Sequence, residues 1–215
     1  MPAHSGWDNS DMCMFTGDYE MMGRLKRRHF ESAQELKVKR IVMGECGHAF
    51  RSIYDVGNRW VGWQMPPVPV IHAVEFYWEI LTQGRIKLAK KFPGPVTIQD
   101  PCNIIRGRGL KDKLRDVVRM LVDGEIIEMD PNGEHNYCCC AGGGVINCGP
   151  PFKNVRLEGN IVKAEQLRAT GVKTVVVPCH NCHGGLDDIV HHHKLGMSLK
   201  FISDIIYECM EKPGA

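Results

Sequence analysis

A β-branched run from Val172 to Val177 leads straight into Pro178-Cys179-His180-Asn181-Cys182, and a helical segment follows. Strands that pass through a short turn into a helix belong to parallel α/β architecture, because a parallel strand needs a crossover to return to the same edge. The rest of the chain repeats this alternation. Strands are predicted at 38–43, 68–71, 95–99, 124–128, 172–177 and 198–202. Helices are predicted at 19–36, 47–57, 73–81, 110–122, 156–169, after Cys182, and at 203–211. A Cys/Gly loop covers 132–150, and Met65-Pro66-Pro67 lies in a Pro-rich loop. The expected fold is α/β, with mostly parallel sheets flanked by helices.

Two stretches resemble each other in the same order. Val38-Lys39-Arg40-Ile41-Val42 precedes Cys46 as Val172-Lys173-Thr174-Val175-Val176 precedes Cys179 and Cys182. Val70-Ile71-His72-Ala73-Val74 then leads into a helix as Phe201-Ile202-Ser203-Asp204-Ile205 does. A degenerate tandem repeat accounts for both matches. The second copy keeps a full set of cysteines, whereas the first keeps Cys13 and Cys46.

The chemistry lies in the second copy. Asp100-Pro101-Cys102 is followed by Cys138-Cys139-Cys140-Ala141-Gly142-Gly143-Gly144 and then by the C-x-x-C turn. A turn at the carboxyl end of a parallel strand is the usual position for a site in an open α/β sheet. A helix N-terminus beside it stabilises thiolates. Residues Met1 to Asp11 lack the basic and apolar segments of an export signal, so ten cysteines point to metal chemistry rather than disulfides. Adjacent cysteines suit a multi-iron core better than tetrahedral zinc, which usually takes two short knuckles. Two alternatives stay open from the residues: a structural zinc module that serves as an interaction surface, and a c-type cytochrome in which Cys179, Cys182 and His183 form C-x-x-C-H.

The set Asp100-Pro101-Cys102, Cys138 to Gly144 and Pro178 to Cys182 resembles the cysteine-rich CCG domain of heterodisulfide reductase catalytic subunits. It is most similar to the subunit type shared by membrane-linked heterodisulfide reductases and the DsrK protein of the sulfite-reduction complex. Gly44-Glu45-Cys46-Gly47-His48-Ala49-Phe50-Arg51 adds to the resemblance. It implies tandem CCG-type units, a partial and cluster-poor one at 1–90 and a complete one at 91–215. It also implies a noncubane 4Fe–4S cluster ligated by Cys102, Cys138, Cys139, Cys179 and Cys182. The family usually has Gly after the paired cysteines, where this chain has Cys140, so which two of the three adjacent thiols ligate stays open. Met43 stands where Cys46 would have a C-x-x-C partner.

The implied function is an oxidoreductase subunit that moves electrons to or from a thiol or disulfide, with Cys46 and His48 as candidate catalytic residues. Expected partners are other electron-transfer subunits and a small thiol, disulfide or sulfur-carrier protein. Other CCG relatives serve hydroxy-acid dehydrogenases. No C-x₂-C-x₂-C-x₃-C-P ferredoxin run is present, so electrons are expected from another chain or from a segment outside this one.

The remaining features carry less. A net charge of +2 gives no case for nucleic acid, and the Arg24-to-Arg28 run reads as a solvated helix face. Nothing approaches 18 uninterrupted apolar residues. The expected location is cytoplasmic, with membrane association only through partner subunits. His191-His192-His193 reads as the end of a helix rather than a metal tract. Arg106 and Arg108 are candidates for attracting an anionic substrate or tuning a cluster. Trp60 and Trp63 read as packing or interface residues, and Cys148 and Cys209 as bystanders.

Overall fold

The computed structural model describes residues 11–62 and 65–212; Trp63 lies outside them. The chain forms two compact units, Met1–Ala73 and Val74–Ala215.

In the first unit, helices α1 (Asp11–Thr16) and α2 (Tyr19–Glu35) precede strand β1 (Ile41–Met43), α3 (Gly47–Arg51), α4 (Gly57–Trp60) and strand β2 (Val70–His72). Asp18 caps α2 by accepting from the Met21 amide at 3.0 Å. The inner face of α2 buries Met22, Phe30 and Ala33, and with them the whole of Lys26. β1 and β2 pair in parallel, with Ile41 opposite Val70 and Met43 opposite His72.

The helix expected at 47–57 is instead α-helical at both ends and π-helical over Ser52–Val56. Lys26 accounts for that insertion. Its ammonium donates to the Ser52 carbonyl at 3.3 Å and to the Ile53 carbonyl. A Cβ at Gly57 would lie 2.6 Å from the Ser52 carbonyl and 2.7 Å from Lys26 Cδ, so only glycine admits this approach. Trp60 stacks on Tyr19, a packing role.

The second unit runs α5 (Ala73–Thr82), β3 (Phe92–Pro93), β4 (Val96–Ile98), α6 (Cys102–Ile105), α7 (Lys111–Leu121), β5 (Val122–Asp123), α8 (Pro150–Gly159), α9 (Ile161–Ala169), β6 (Thr174–Val176), α10 (His180–His192), β7 (Ser198–Lys200) and α11 (Ile202–Cys209). The sequence alone places the division at 90 and 91. The compact units divide earlier because α5 is tied into the second one: Glu75 pairs with Arg108 at 3.7 Å, and Lys113 lies over the Trp78 ring.

The central sheet has the order β4–β6–β7, all parallel. Val96, Ile98, Val175 and Val176 are almost wholly buried, as strands covered on both faces require. β3 and β5 form a second parallel pair. The strand expected at 124–128 is reduced to one bridge between Ile126 and Val96, and β5 ends just before it. The helix expected at 156–169 is two helices that begin earlier, with Pro150 and Pro151 in the first turn of α8. Asn160 breaks them at φ −93°, ψ 13°. The one-turn helix α6 has no counterpart among the predicted elements.

Candidate metal centre

The pairing of β4 with β6 brings the site together. Ile98 lies opposite Val176, and the Gln99 amide donates to the Val176 carbonyl at 2.9 Å. Both strands therefore end at one edge, where Asp100-Pro101-Cys102 and Pro178-Cys179 emerge side by side. Cys179 caps α10, and Cys182 falls in that helix's first turn. Cys102 opens α6 behind Pro101.

The third loop is held against this edge by buried polar contacts. The Asp100 carboxylate takes both Arg115 Nη atoms and the Gly133 amide, the last at 2.6 Å. Gly133 has φ +60°, a backbone conformation that suits glycine. Asn136 Nδ2 donates to the Asp100 carbonyl. Arg106 donates from Nη2 to the Asn136 carbonyl at 2.6 Å and from Nε to the Glu134 carbonyl. Arg106 thus braces the loop that delivers Cys138, and Arg108 is engaged with Glu75.

Past that loop the cysteines touch one another. Cys139 is hydrogen-bonded to Cys138 and to Cys182, and Cys182 is also hydrogen-bonded to Cys179. Cys139, Cys179 and Cys182 are buried, Cys102 and Cys140 are half-buried, and Cys138 is exposed. These hydrogen bonds link Cys138, Cys139, Cys182 and Cys179, and Cys102 lies near enough to Cys139 and Cys179 to feel their charge. Among the described residues no three Cys, His or carboxylate side chains are grouped closely enough for a single metal ion; the thiols bond to one another in succession.

Their electrostatics follow from this contact. The thiols of Cys138 and Cys182 hold the Cys139 group well below the usual thiol range. Cys138 is pushed up by its bond to Cys139, then by burial. Cys182 is pushed up by Cys139 and Cys179, and Cys102 by burial and then by Cys139 and Cys179. The downward shift of Cys139 and the upward shifts of Cys138, Cys182 and Cys102 have one cause, since closely spaced thiolates disfavour one another's ionisation. A metal centre would remove that restriction, since ligation deprotonates every thiol it takes.

Cys140 has φ +53°, in the region where L-residues are rare. Glycine would adopt this conformation without strain. Its Sγ turns away to donate to Asn160 Oδ1 at 3.0 Å, while Asn160 Nδ2 donates to the Cys139 carbonyl at 3.1 Å. On the other side, a Cβ at Gly185 would meet Ala141 Cβ at 2.5 Å and the Cys139 carbonyl at 2.9 Å. The cysteine turn is seated directly on the backbone of α10.

Several of these contributors were not singled out as site residues in the sequence: Arg115, Arg156, Asn160, Lys163 and Gly185. Arg156, Asn160 and Lys163 recur at helical spacing, and all three are buried. The outer side of α8 and α9 instead exposes Phe152, Val155, Ile161 and Val162. Arg156 and Lys153 both bond Asp188 on α10, and they hold its carboxyl low against the effect of burial. Burial lowers the Lys163 ammonium to about 8, opposed mainly by the charges of Cys139 and Cys182.

Other predicted residues lie elsewhere. Cys46 and His48 belong to the first unit, where Cys46 caps α3 and the His48 ring meets Phe15 edge-on at 5.1 Å. Cys46 follows β1 as Cys179 follows β6, with matching extended backbone (φ −144°, ψ 107° and φ −160°, ψ 121°). The His183 ring lies along Phe201, centroids 4.5 Å apart, and both C-x-x-C thiols face other cysteines. His193 caps the end of α10, so the histidine tract does end a helix. Cys148 is exposed and Cys209 is buried in α11.

Fold and site together define a parallel α/β protein whose sheet edge gathers cysteines from three loops. Residues 96–187 match the cysteine-rich domain CCG. It is 29% identical over 85% of its length to a dihydromethanophenazine:CoB–CoM heterodisulfide reductase subunit of Methanosarcina mazei, covering 44% of that protein. It is 29% identical over 85% of its length to a probable membrane-anchored ferredoxin of Chromohalobacter salexigens, covering 27%. It is 26% identical over 75% of its length to an Hdr-like menaquinol oxidoreductase iron–sulfur subunit of Archaeoglobus profundus, covering 35%. The chain thus spans less than half the length of these relatives. Among the described residues no helix is long and apolar enough to cross a membrane.

Proposed function

We propose that this chain is an iron–sulfur oxidoreductase subunit in which Cys102, Cys138, Cys139, Cys179 and Cys182 hold a noncubane 4Fe–4S cluster that exchanges electrons with a thiol or disulfide substrate. The observation that carries this reading is the gathering of cysteines from three separate loops, with Cys139 hydrogen-bonded to Cys138 and Cys182, Cys182 to Cys179, and Cys102 near enough to feel the charge of Cys139 and Cys179. The residues present fit such a group. Among the described residues, Arg156 Nε and Nη1 and Asn103 Nδ2 are buried donors with no protein acceptor, which suits the acceptor sulfurs of a cluster. Gly185 brings the cysteine turn close, and the donor set is all soft thiolate, as iron–sulfur centres take.

When bound, the cluster would supply one-electron redox chemistry and soft iron sites for sulfur. The chain's own residues do the rest. Asp100 and Arg115 hold the Cys102 turn, Asn160 holds the Cys139–Cys140 turn, and the buried strands exclude water from one side. Cys138 is the exposed member and marks the side on which a donor or substrate would approach.

In this reading residues 1–90 are a cluster-poor counterpart of 91–215, supported by the matching positions of Cys46 and Cys179, and Cys46 and His48 are the substrate-side candidates. The partners would be other electron-transfer subunits and either a small heterodisulfide or a sulfur-carrier protein, in a complex that could be linked to sulfite reduction. The placement would be cytoplasmic, and relatives named as membrane-anchored and as menaquinol-linked support attachment to a membrane through such partners.

Anaerobic purification with iron, zinc and acid-labile sulfide analysis tests the reading. About four irons and four sulfides per chain, lost in Cys139→Ala and Cys179→Ala, are expected. Stoichiometric zinc without sulfide would leave a structural module, and a sharp Soret band a c-type haem.

A further inference from the structure

Lys163 is fully buried on α9, and its ammonium has only neutral partners among the described contacts: Gln166 Oε1 and, at 3.7 Å, Met129 Sδ. The other buried cations of the site are matched by carboxylates. Arg115 meets Asp100 and Glu128, and Arg156 meets Asp188. A buried charge without an opposite one is costly and persists only where something nearby carries compensating charge.

Met129, which the Lys163 ammonium meets at 3.7 Å, packs in one buried cluster with Cys139, Cys179 and Cys182, and the charge of Cys139 counters the effect of burial on Lys163. Asp100 is already held by two Arg115 hydrogen bonds and the Gly133 amide. Asn160, one helical turn before Lys163, fixes the Cys139–Cys140 turn by two hydrogen bonds. The same buried stripe therefore both shapes the cysteine turn and sets a positive charge behind it.

We propose that Lys163 is the counter-ion of the thiolate-bound centre and sets its reduction potential, favouring the reduced state. This rests on the cluster reading above. Adding one electron from a one-electron donor makes the centre more negative by one charge with no bond broken. A fixed cation close by stabilises that product more than the oxidised form. Lys163 is a positioning residue in this scheme, since it acts through Cys139 and Cys182 and needs no contact with substrate.

The test is an EPR-monitored redox titration of the anaerobically purified chain with dithionite, comparing wild type, Lys163→Met, Lys163→Gln and Lys163→Arg. Iron and sulfide are measured on each sample first. A wild type that holds no iron and sulfide overturns the cluster reading itself. With the cluster present, Lys163→Met and Lys163→Gln are expected to disfavour reduction at least tenfold, about 59 mV lower for a one-electron couple. Lys163→Arg should stay near wild type. Loss of the cluster in both neutral variants with retention in Lys163→Arg also supports a charge requirement. Neutral variants that keep both cluster and potential would overturn the inference, as would loss of the cluster in Lys163→Arg alongside them.

Discussion

Arg115 grips Asp100 with two parallel hydrogen bonds, one of them 2.8 Å, and the two side chains are only 4% and 1% exposed. Asp100 stands two residues before Cys102 and also takes the Gly133 amide, so this one carboxylate joins the first cysteine loop to the loop that leads to Cys138. The bidentate geometry fixes direction as well as distance, which a lysine at 115 would not do.

Removing one partner of that pair leaves a buried charge uncompensated. Arg115→Leu is expected to destabilise the second unit by about 3–5 kcal/mol. Urea unfolding gives the loss, and iron analysis should show poorer cluster retention. Arg119→Leu, which breaks only an exposed i,i+3 pair on the same helix, should cost under about 1 kcal/mol. Equal effects for the two would contradict the proposed role of Asp100.

Gly185 and Gly184 make a paired contrast on α10. A Cβ at 185 would strike the Cys139 carbonyl and Ala141, which belong to a fixed turn, whereas a Cβ at 184 would meet only the tip of the Ile146 side chain. Gly185→Ala is expected to cost about 1–3 kcal/mol and to displace the cysteine turn. Gly184→Ala should cost less, since Ile146 is able to move. Thermal unfolding together with iron content separates the two cases.

Cys140 offers a way to tell which adjacent thiols ligate. Its positive φ costs about 1–2 kcal/mol for an L-residue, and glycine removes that strain while giving up the bond to Asn160. Cys140→Gly is therefore expected to keep wild-type stability within about 1 kcal/mol and to retain a full cluster. Cys138→Ala should lose it. The reverse pattern would make Cys140 a ligand in place of Cys138.

Lys26 gives the first unit a pH dependence of definite sign. Burial lowers its ammonium from 10.5 to about 7, with Asp55 opposing. Between about 7 and 10.5 the unfolded chain holds more protons on this group than the folded one, so its contribution to stability rises with pH across that window. Below it both states are charged, and the burial cost is at its largest. The difference between wild type and Lys26→Met in urea unfolding should therefore shift in favour of wild type from pH 7 to pH 10. A pH-independent difference would mean that Lys26 stays charged while buried.

The split of the helix expected at 156–169 shows where sequence periodicity misleads. Arg156, Asn160 and Lys163 share one face, which usually points to water. Here that face is turned inward, because the cysteine turn offers Asn160 the Cys139 carbonyl as acceptor and the Cys140 thiol as donor, while Phe152 and Val155 face outward. The strand expected at 124–128 failed for a related reason. Its β-branched character was real, but only Ile126 found a partner in Val96.

The α/β alternation, the parallel strands and the three cysteine-bearing segments were all legible along the chain. Those features depend on local spacing: a strand, a turn and a helix follow one another and need no distant partner to be recognised. Long-range packing settled the remainder. The pairing of Ile98 with Val176 brings the Cys102 loop beside the Cys179 turn, although two helical layers and the third cysteine loop lie between them in the chain. The buried pairing of Arg115 with Asp100, the inward turn of Lys163 and the seat that Gly185 makes for Cys139 depend on such packing in the same way. Whether a charged side chain is a solvated surface group or a buried counter-ion depends on what folds against it, and no local pattern carries that information.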